Sequence, residues 1–148
     1  MTSKEYLQQI RRIDTLINRK REELIHLREL GDISAMDYEK ERVTSSPVQD
    51  SMANIVCKIV DLENEINQDI KEYLEIKQEV IRTIDSLEEP ELIDLLYRRY
   101  VRFEKWEKIA YKMNYSLRGI HKLHGKALIA IDLLINERVH LSSQWFVI

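Results

Sequence analysis

From Ser51 to about Ser86 apolar residues recur in steps of three and four. The series is Ile59, Leu62, Ile66, Ile70, Tyr73, then Lys77 in register, Val80, Ile84 and Leu87. That period belongs to one face of an α-helix. Roughly 35 residues at 1.5 Å each make a helix of about 50 Å, and a helix so long needs a partner along its length. Ser3 to about Leu30 offers one. There Tyr6, Ile10, Ile13, Ile17, Lys20, Leu24 and Leu27 form a second heptad seam with a polar interruption at Lys20. Leu16 and Leu30 widen it. The two segments are expected to fold back as a long antiparallel helical hairpin or coiled coil. The first spans only roughly 40 Å by the same rise, so the unmatched end of the second leaves apolar surface for a second subunit or for the C-terminal segment.

A third of the 148 residues are charged, with three glycines and two prolines, a balance that favours an all-α chain over a sheet-rich one. Gly31-Asp32 is expected to end the first helix. Ser34 and Asp37 have the spacing of a capping box, for a short helix through Arg42. Thr44-Ser45-Ser46-Pro47 is a break, with Ser46 as cap and Pro47 in the first turn of the next helix. Glu88-Glu89-Pro90 ends the second long helix and starts another, rich in Leu92, Ile93, Leu95, Leu96, Tyr97 and Tyr100. Three divisions follow: a hairpin for dimerisation over 1–87, a head over 88–135, and an apolar tail over 136–148 that includes Trp145.

The head carries a helix-turn-helix pattern in Trp106 to Gly125, WEKIAYKMNYSLRGIHKLHG. A first helix would end near Lys112, the turn would be Met113-Asn114-Tyr115-Ser116, and Ser116 would cap a second helix opening at Leu117. Ile109, Ala110, Met113 and Tyr115 fall where two crossing helices touch, and Ile120 and Leu123 supply the matching face. Asn114 stands where the turn needs positive φ, which asparagine tolerates best after glycine. Phe103 and Trp106 read as core residues of this three-helix unit. The second helix would continue through an apolar tract, Ala127 to Ile135, that must be buried, and stop near Asn136-Glu137-Arg138.

The outward face of that second helix is basic. Arg118, His121, Lys122, Gly125 and Lys126 lie on one stripe, and no acid occurs between Arg118 and Ile131. Between Leu95 and Lys126 there are nine bases and two acids, or +7; with a formal charge of −3 for the whole chain, the remainder carries −10. A basic head on an acidic body suits a nucleic-acid binder. Gly119 and Gly125 cost helix stability, roughly 1 kcal/mol each, which close approach to DNA or to a neighbouring helix would justify. Arg19-Lys20-Arg21 reads differently: Glu22-Glu23 follows it, as on a solvated helix face.

The segment from about Glu89 to Leu134 resembles the fourth region of bacterial primary sigma factors. The resemblance rests on Leu92, Leu95, Tyr97-Arg98-Arg99-Tyr100, Trp106-Glu107-Lys108-Ile109-Ala110, Asn114-Tyr115-Ser116, Ile120 and Lys126-Ala127-Leu128. The whole chain is similar to the ArpU- and RinA-type late-gene transcription regulators of prophages, to which the opening TSKEYLQQIRRIDTLINRKREEL adds. The resemblance implies a sequence-specific DNA-binding regulator upstream of packaging, morphogenesis or lysis genes in a bacterial cytoplasm, with RNA polymerase a partner of some members. Arg118, His121 and Lys122 are the expected base readers. Arg98, Arg99, Arg102, Lys112, Ser116 and Lys126 are the expected phosphate contacts. The partners are double-stranded DNA and a second copy in a homodimer. The competing reading is a coiled-coil adaptor or polymerase-binding factor whose basic head docks on protein. Asn114 in place of the usual turn glycine, and Gly119 and Gly125 in the recognition helix, depart from the pattern.

Other chemistries find no foothold. There is no phosphate-binding glycine loop, HExxH or zinc-type Cys/His cluster, so neither enzyme, metal site nor cofactor is expected. His121 and His124 have helical spacing but no third ligand. Cys57, the single cysteine, lies among Ile55, Val56, Ile59 and Val60 and reads as core; without a partner in the chain it suits a reducing compartment. The N-terminus lacks the apolar run of a signal peptide. Ala127 to Ile135 is too short to span a bilayer and contains Asp132.

Overall fold

The computed structural model describes the backbone of residues 1–40 and 47–144 and the side chains of 1–36 and 51–144. Its elements are α1 (Ser3–Lys40), α2 (Pro47–Asp85), α3 (Pro90–Leu96), a π-helical turn (Tyr97–Val101), α4 (Trp106–Met113) and α5 (Leu117–Gln144), with no strand among the described residues. The all-α expectation holds, with two long packed helices followed by shorter ones. Arg42, Thr44, Ser45 and Ser46, together with the tail from Trp145, lie outside the described residues.

By contact the chain forms two units, Ile13–Tyr73 and Met1–Arg12 with Leu74–Ile148. In the first, α1 and α2 run antiparallel. Lys20 Nζ lies 2.6 Å from Asp69 Oδ2 and 3.4 Å from Glu65, and Arg28 Nη2 lies 2.8 Å from Glu63. As the α1 number rises, its α2 partner's falls. Ile17, Leu24, Leu27 and Ile66 are buried along the seam. Lys20, the polar interruption, is explained: its hydrogen bond to Asp69 raises the ammonium above its ordinary pKa despite some desolvation.

Three expectations for this unit fail. Gly31-Asp32 does not end α1, which continues to Lys40, so Ser34 and Asp37 start no new helix. No glycine in the chain has positive φ; a glycine inside a helix costs only about 1 kcal/mol and ends it only where the chain turns. Cys57 is exposed rather than core. It lies two residues before seam residue Ile59, which at 100° per residue places it on the far side of the helix.

In the second unit the first turns of α1 pack against the end of α2, again antiparallel. Leu7, Ile10, Val80 and Ile84 are fully buried. The chain starts with a capping box, Thr2 N donating to Glu5 and Glu5 N to Thr2 Oγ1. Ser3 N donates to Asp132 on α5. Thr83, fully buried, uses all its hydrogen-bonding capacity: Oγ1 donates to the Glu79 carbonyl and accepts from Tyr6 Oη at 2.9 Å and Arg138 Nη1 at 2.8 Å.

The same unit holds the three-helix head. Pro90 opens α3 as expected. Leu92, Leu95, Leu96, Tyr100, Val101, Ile109, Ala110, Ile120, Ala127 and Ile131 form its core. The end of α3 departs from expectation: it widens into the π-helical turn, with Arg102 N bonding to the Tyr97 carbonyl at 3.1 Å. Phe103 then takes φ 57°, turning the chain into α4. A further correction concerns α5. It runs past Asn136-Glu137-Arg138 to Gln144. Its apolar tract is not buried all round, since Ile129 is 64% and Leu133 60% exposed. Among the described residues, the fully buried line of α5 is Ile120, Ala127 and Ile131.

Candidate nucleic-acid interface

The turn between α4 and α5 follows from three local choices. Asn114 sits in the left-handed region at φ 60°, ψ 39°, and Asn114 N and Tyr115 N donate to the carbonyls of Tyr111 and Ala110. This is a Schellman closure with asparagine in the glycine position. Ser116 Oγ then accepts from Gly119 N at 3.0 Å, capping α5. Ala110, buried, lets the helices approach. Tyr115 is partly buried, and its phenol donates to Glu91 at the start of α3.

Beyond this turn, Arg118 and Lys122 stand exposed on one stripe of α5, and neither side chain forms a hydrogen bond or ion pair among the described residues. Gly125 continues the stripe, and a methyl group there would meet nothing within 4 Å. No neighbouring helix therefore demands that glycine. Gly119 is tighter: a methyl group would lie 3.0 Å from Ser116 Oγ and 3.3 Å from Tyr115. His121, the third expected base reader, is exposed but leans on Trp106, ring centroids 4.8 Å apart.

The expected phosphate contacts are more entangled. Glu104, with a side chain only 7% exposed, gathers Arg98 at 3.4 Å, Lys112 at 3.4 Å and Lys108 at 3.9 Å. Burial opposes ionisation of Glu104, but the hydrogen bonds and charges of Lys112, Arg98 and Lys108 outweigh it and hold the carboxyl below its ordinary pKa. Arg98 also pairs with Asp94 at 2.9 Å. Arg99 lies over the Trp106 ring, 4.6 Å from its centroid, and donates to the Glu104 carbonyl. Arg102 lies over Tyr97 at 5.3 Å. Lys126, exposed, pairs with Glu89 at 2.9 Å, and Ser116 spends its hydroxyl oxygen on the cap. Arg98 and Arg99 thus hold the corner between α3 and α4, while Lys112 and Lys126 reach solvent beside a carboxylate.

Trp106 and His124 were the least legible part of the site. Trp106 is partly buried, set among Arg99, His121 and His124. His124 stacks on Tyr100, and Tyr100 Oη lies 2.6 Å from Nε2. Desolvation, then the nearby charges of Lys4, His121 and Arg99, bring the His124 pKa down to about 4, so its ring is neutral. Burial raises the Tyr100 phenol, which keeps its proton and donates. The exposed bases Lys4 and Arg11 also belong to this unit. The sequence signal for them was the spacing Lys4, Gln8, Arg11 on one face of α1.

No group of three or more His, Cys, Asp or Glu side chains that could hold a metal occurs among the described residues. No helix among them is long and apolar enough to cross a membrane. Compared with family models, curated proteins and solved structures, the chain matches none.

Proposed function

We propose that this chain is a sequence-specific DNA-binding transcription regulator of phage or prophage genes, of the late, packaging or lysis class, acting in the bacterial cytoplasm. One observation carries the reading. Arg118 and Lys122 project from the first two turns of α5, immediately after a turn closed by Asn114 and capped by Ser116. Bases on the leading turns of the second helix are what a helix-turn-helix presents to a major groove. His121, steadied by Trp106, stands beside them as a third reader. Lys112 and Lys126 serve as phosphate contacts, leaving Glu104 and Glu89 for the DNA backbone. A homodimer would place two heads on half-sites separated by a whole number of helical turns; exposed Ile25, Met36, Val56 and Val60 supply apolar surface for it.

The test is genome-wide DNA capture with the full-length protein, repeated with Arg118→Ala/Lys122→Ala. A few strong sites that vanish in the double variant support the reading and supply the operator. Uniform weak capture, or none, removes it. Exposed Ile129 and Leu133 on α5 favour the second reading, an adaptor or polymerase-binding factor. There the head would capture a protein and show no salt-dependent DNA binding.

A further inference from the structure

The first three turns of α1 belong to the same unit as the head. Their inner face, Tyr6, Leu7 and Ile10, is buried. Their outer face carries Lys4, Gln8 and Arg11 at i, i+4 and i+7, all exposed. Two further observations place this face beside the candidate interface. Lys4 is near enough to His124 for its charge to oppose protonation of that ring. The Arg11 guanidinium lies 5.7 Å from the centroid of Phe103, the residue whose positive φ turns the chain into α4. Gln8 and Arg11 also line a small cleft with Arg99, Tyr100 and Phe103, of about 30 Å³, enough for one water-sized polar group. The segment Met1–Arg12 holds three bases, Lys4, Arg11 and Arg12, against one acid, Glu5, whose carboxylate already caps the helix. The face is therefore cationic, rich in donors and held rigidly by the apolar residues behind it.

We propose that the Lys4-Gln8-Arg11 face of α1 is a second arm of the nucleic-acid surface, binding backbone phosphates of duplex DNA that flank the base pairs read by α5. The proposal rests on the DNA-binding reading above and adds to it a segment that lies some ninety residues earlier in sequence than the helix-turn-helix. Lys4 and Arg11 lie seven residues apart, roughly 10 Å along the helix, so each takes a separate phosphate. Gln8 and the cleft beside Arg99 receive a phosphate oxygen held by Arg11. Such contacts carry no sequence information; they supply affinity and register.

The experiment is the salt dependence of binding to duplex DNA by the full-length chain. The variants are Lys4→Gln/Arg11→Gln, the charge-keeping pair Lys4→Arg/Arg11→Lys, and the control Lys58→Gln/Lys71→Gln in the other unit. Losing two phosphate contacts makes the log–log slope shallower by about 1.8 and weakens binding increasingly as salt is lowered, for operator and unrelated duplex alike. The charge-keeping pair and the control retain the wild-type slope. An unchanged slope for the glutamine pair, with wild-type binding intact, overturns this inference and leaves the DNA-binding reading standing. Equal losses from the glutamine and charge-keeping pairs mean that packing rather than charge was disturbed, and also overturn it. Absence of wild-type binding at low salt overturns both.

Discussion

Tyr100 Oη and His124 Nε2 lie 2.6 Å apart, joining the π-helical turn to α5 through a neutral imidazole. The unfolded chain protonates His124 near pH 6.5, whereas the folded chain does so only near 4. Between these values the unfolded state binds more protons, so folding stability falls as the pH drops. His124 therefore contributes fully above about pH 6.5, and by pH 4 the fold has lost up to about 3 kcal/mol from this residue. Urea unfolding at pH 7 and pH 4.5 checks this. His124→Gln, which keeps an acceptor for Tyr100 but does not titrate, is expected to lose less stability between the two.

Glu104 is expected to give a split result. Glu104→Gln withdraws the charge that holds Arg98, Lys108 and Lys112. The fold should lose roughly 1–3 kcal/mol, the usual cost of breaking a buried charged hydrogen-bond set. Freed bases should raise affinity for unrelated duplex DNA. Thermal unfolding and a binding titration on the same sample test both directions. Weaker DNA binding by the folded variant would show that Glu104 positions these bases rather than competing for them.

The two glycines of α5 should behave differently. Gly125→Ala adds a methyl group to open space in an ordinary helical conformation, and should stabilise the fold by about 0.5–1 kcal/mol. If DNA backbone approaches there, the same variant binds operator less tightly. Gly119→Ala gains little, because Ser116 Oγ and Tyr115 must give way. Equal melting shifts for both variants would contradict the geometry of the cap.

Asn114 at φ 60° pays the left-handed cost that glycine does not. Asn114→Gly should leave stability unchanged or slightly raised, whereas Asn114→Ala should lose about 1 kcal/mol. Melting curves of the two variants settle the order.

The seam was legible because burial along a long helix pair imposes its own period: Tyr6, Ile10, Ile17, Leu24 and Leu27 are all buried. Asn114 and Ser116 were legible for a different reason, since turn and cap chemistry is local. Cys57 misled because apolar neighbours in sequence are not neighbours around a helix. The tract after Lys126 misled because composition gives hydrophobicity but not how many sides of a helix are covered; Ile129 and Leu133 face outward. The cations around Glu104 and the pairing of His124 with Tyr100 join residues whose meeting depends on the π-helical turn and on Phe103. Neither feature has a recognisable sequence signature. The exposure of the α5 bases was therefore legible, but not the division of the remaining cations between solvent and structure.

The unbroken course of α5 joins two tasks in one rod. Twenty-eight residues at 1.5 Å each give roughly 42 Å of helix from Leu117 to Gln144. Its leading turns carry Arg118 and Lys122, and its length from Ile129 onward presents Ile129, Leu133, Val139 and Leu141 to solvent. The Asp132–Ser3 and Arg138–Thr83 hydrogen bonds fasten this second stretch to α1 and α2. Because one continuous helix carries both, any tilt of the apolar stretch is also a tilt of Arg118 and Lys122.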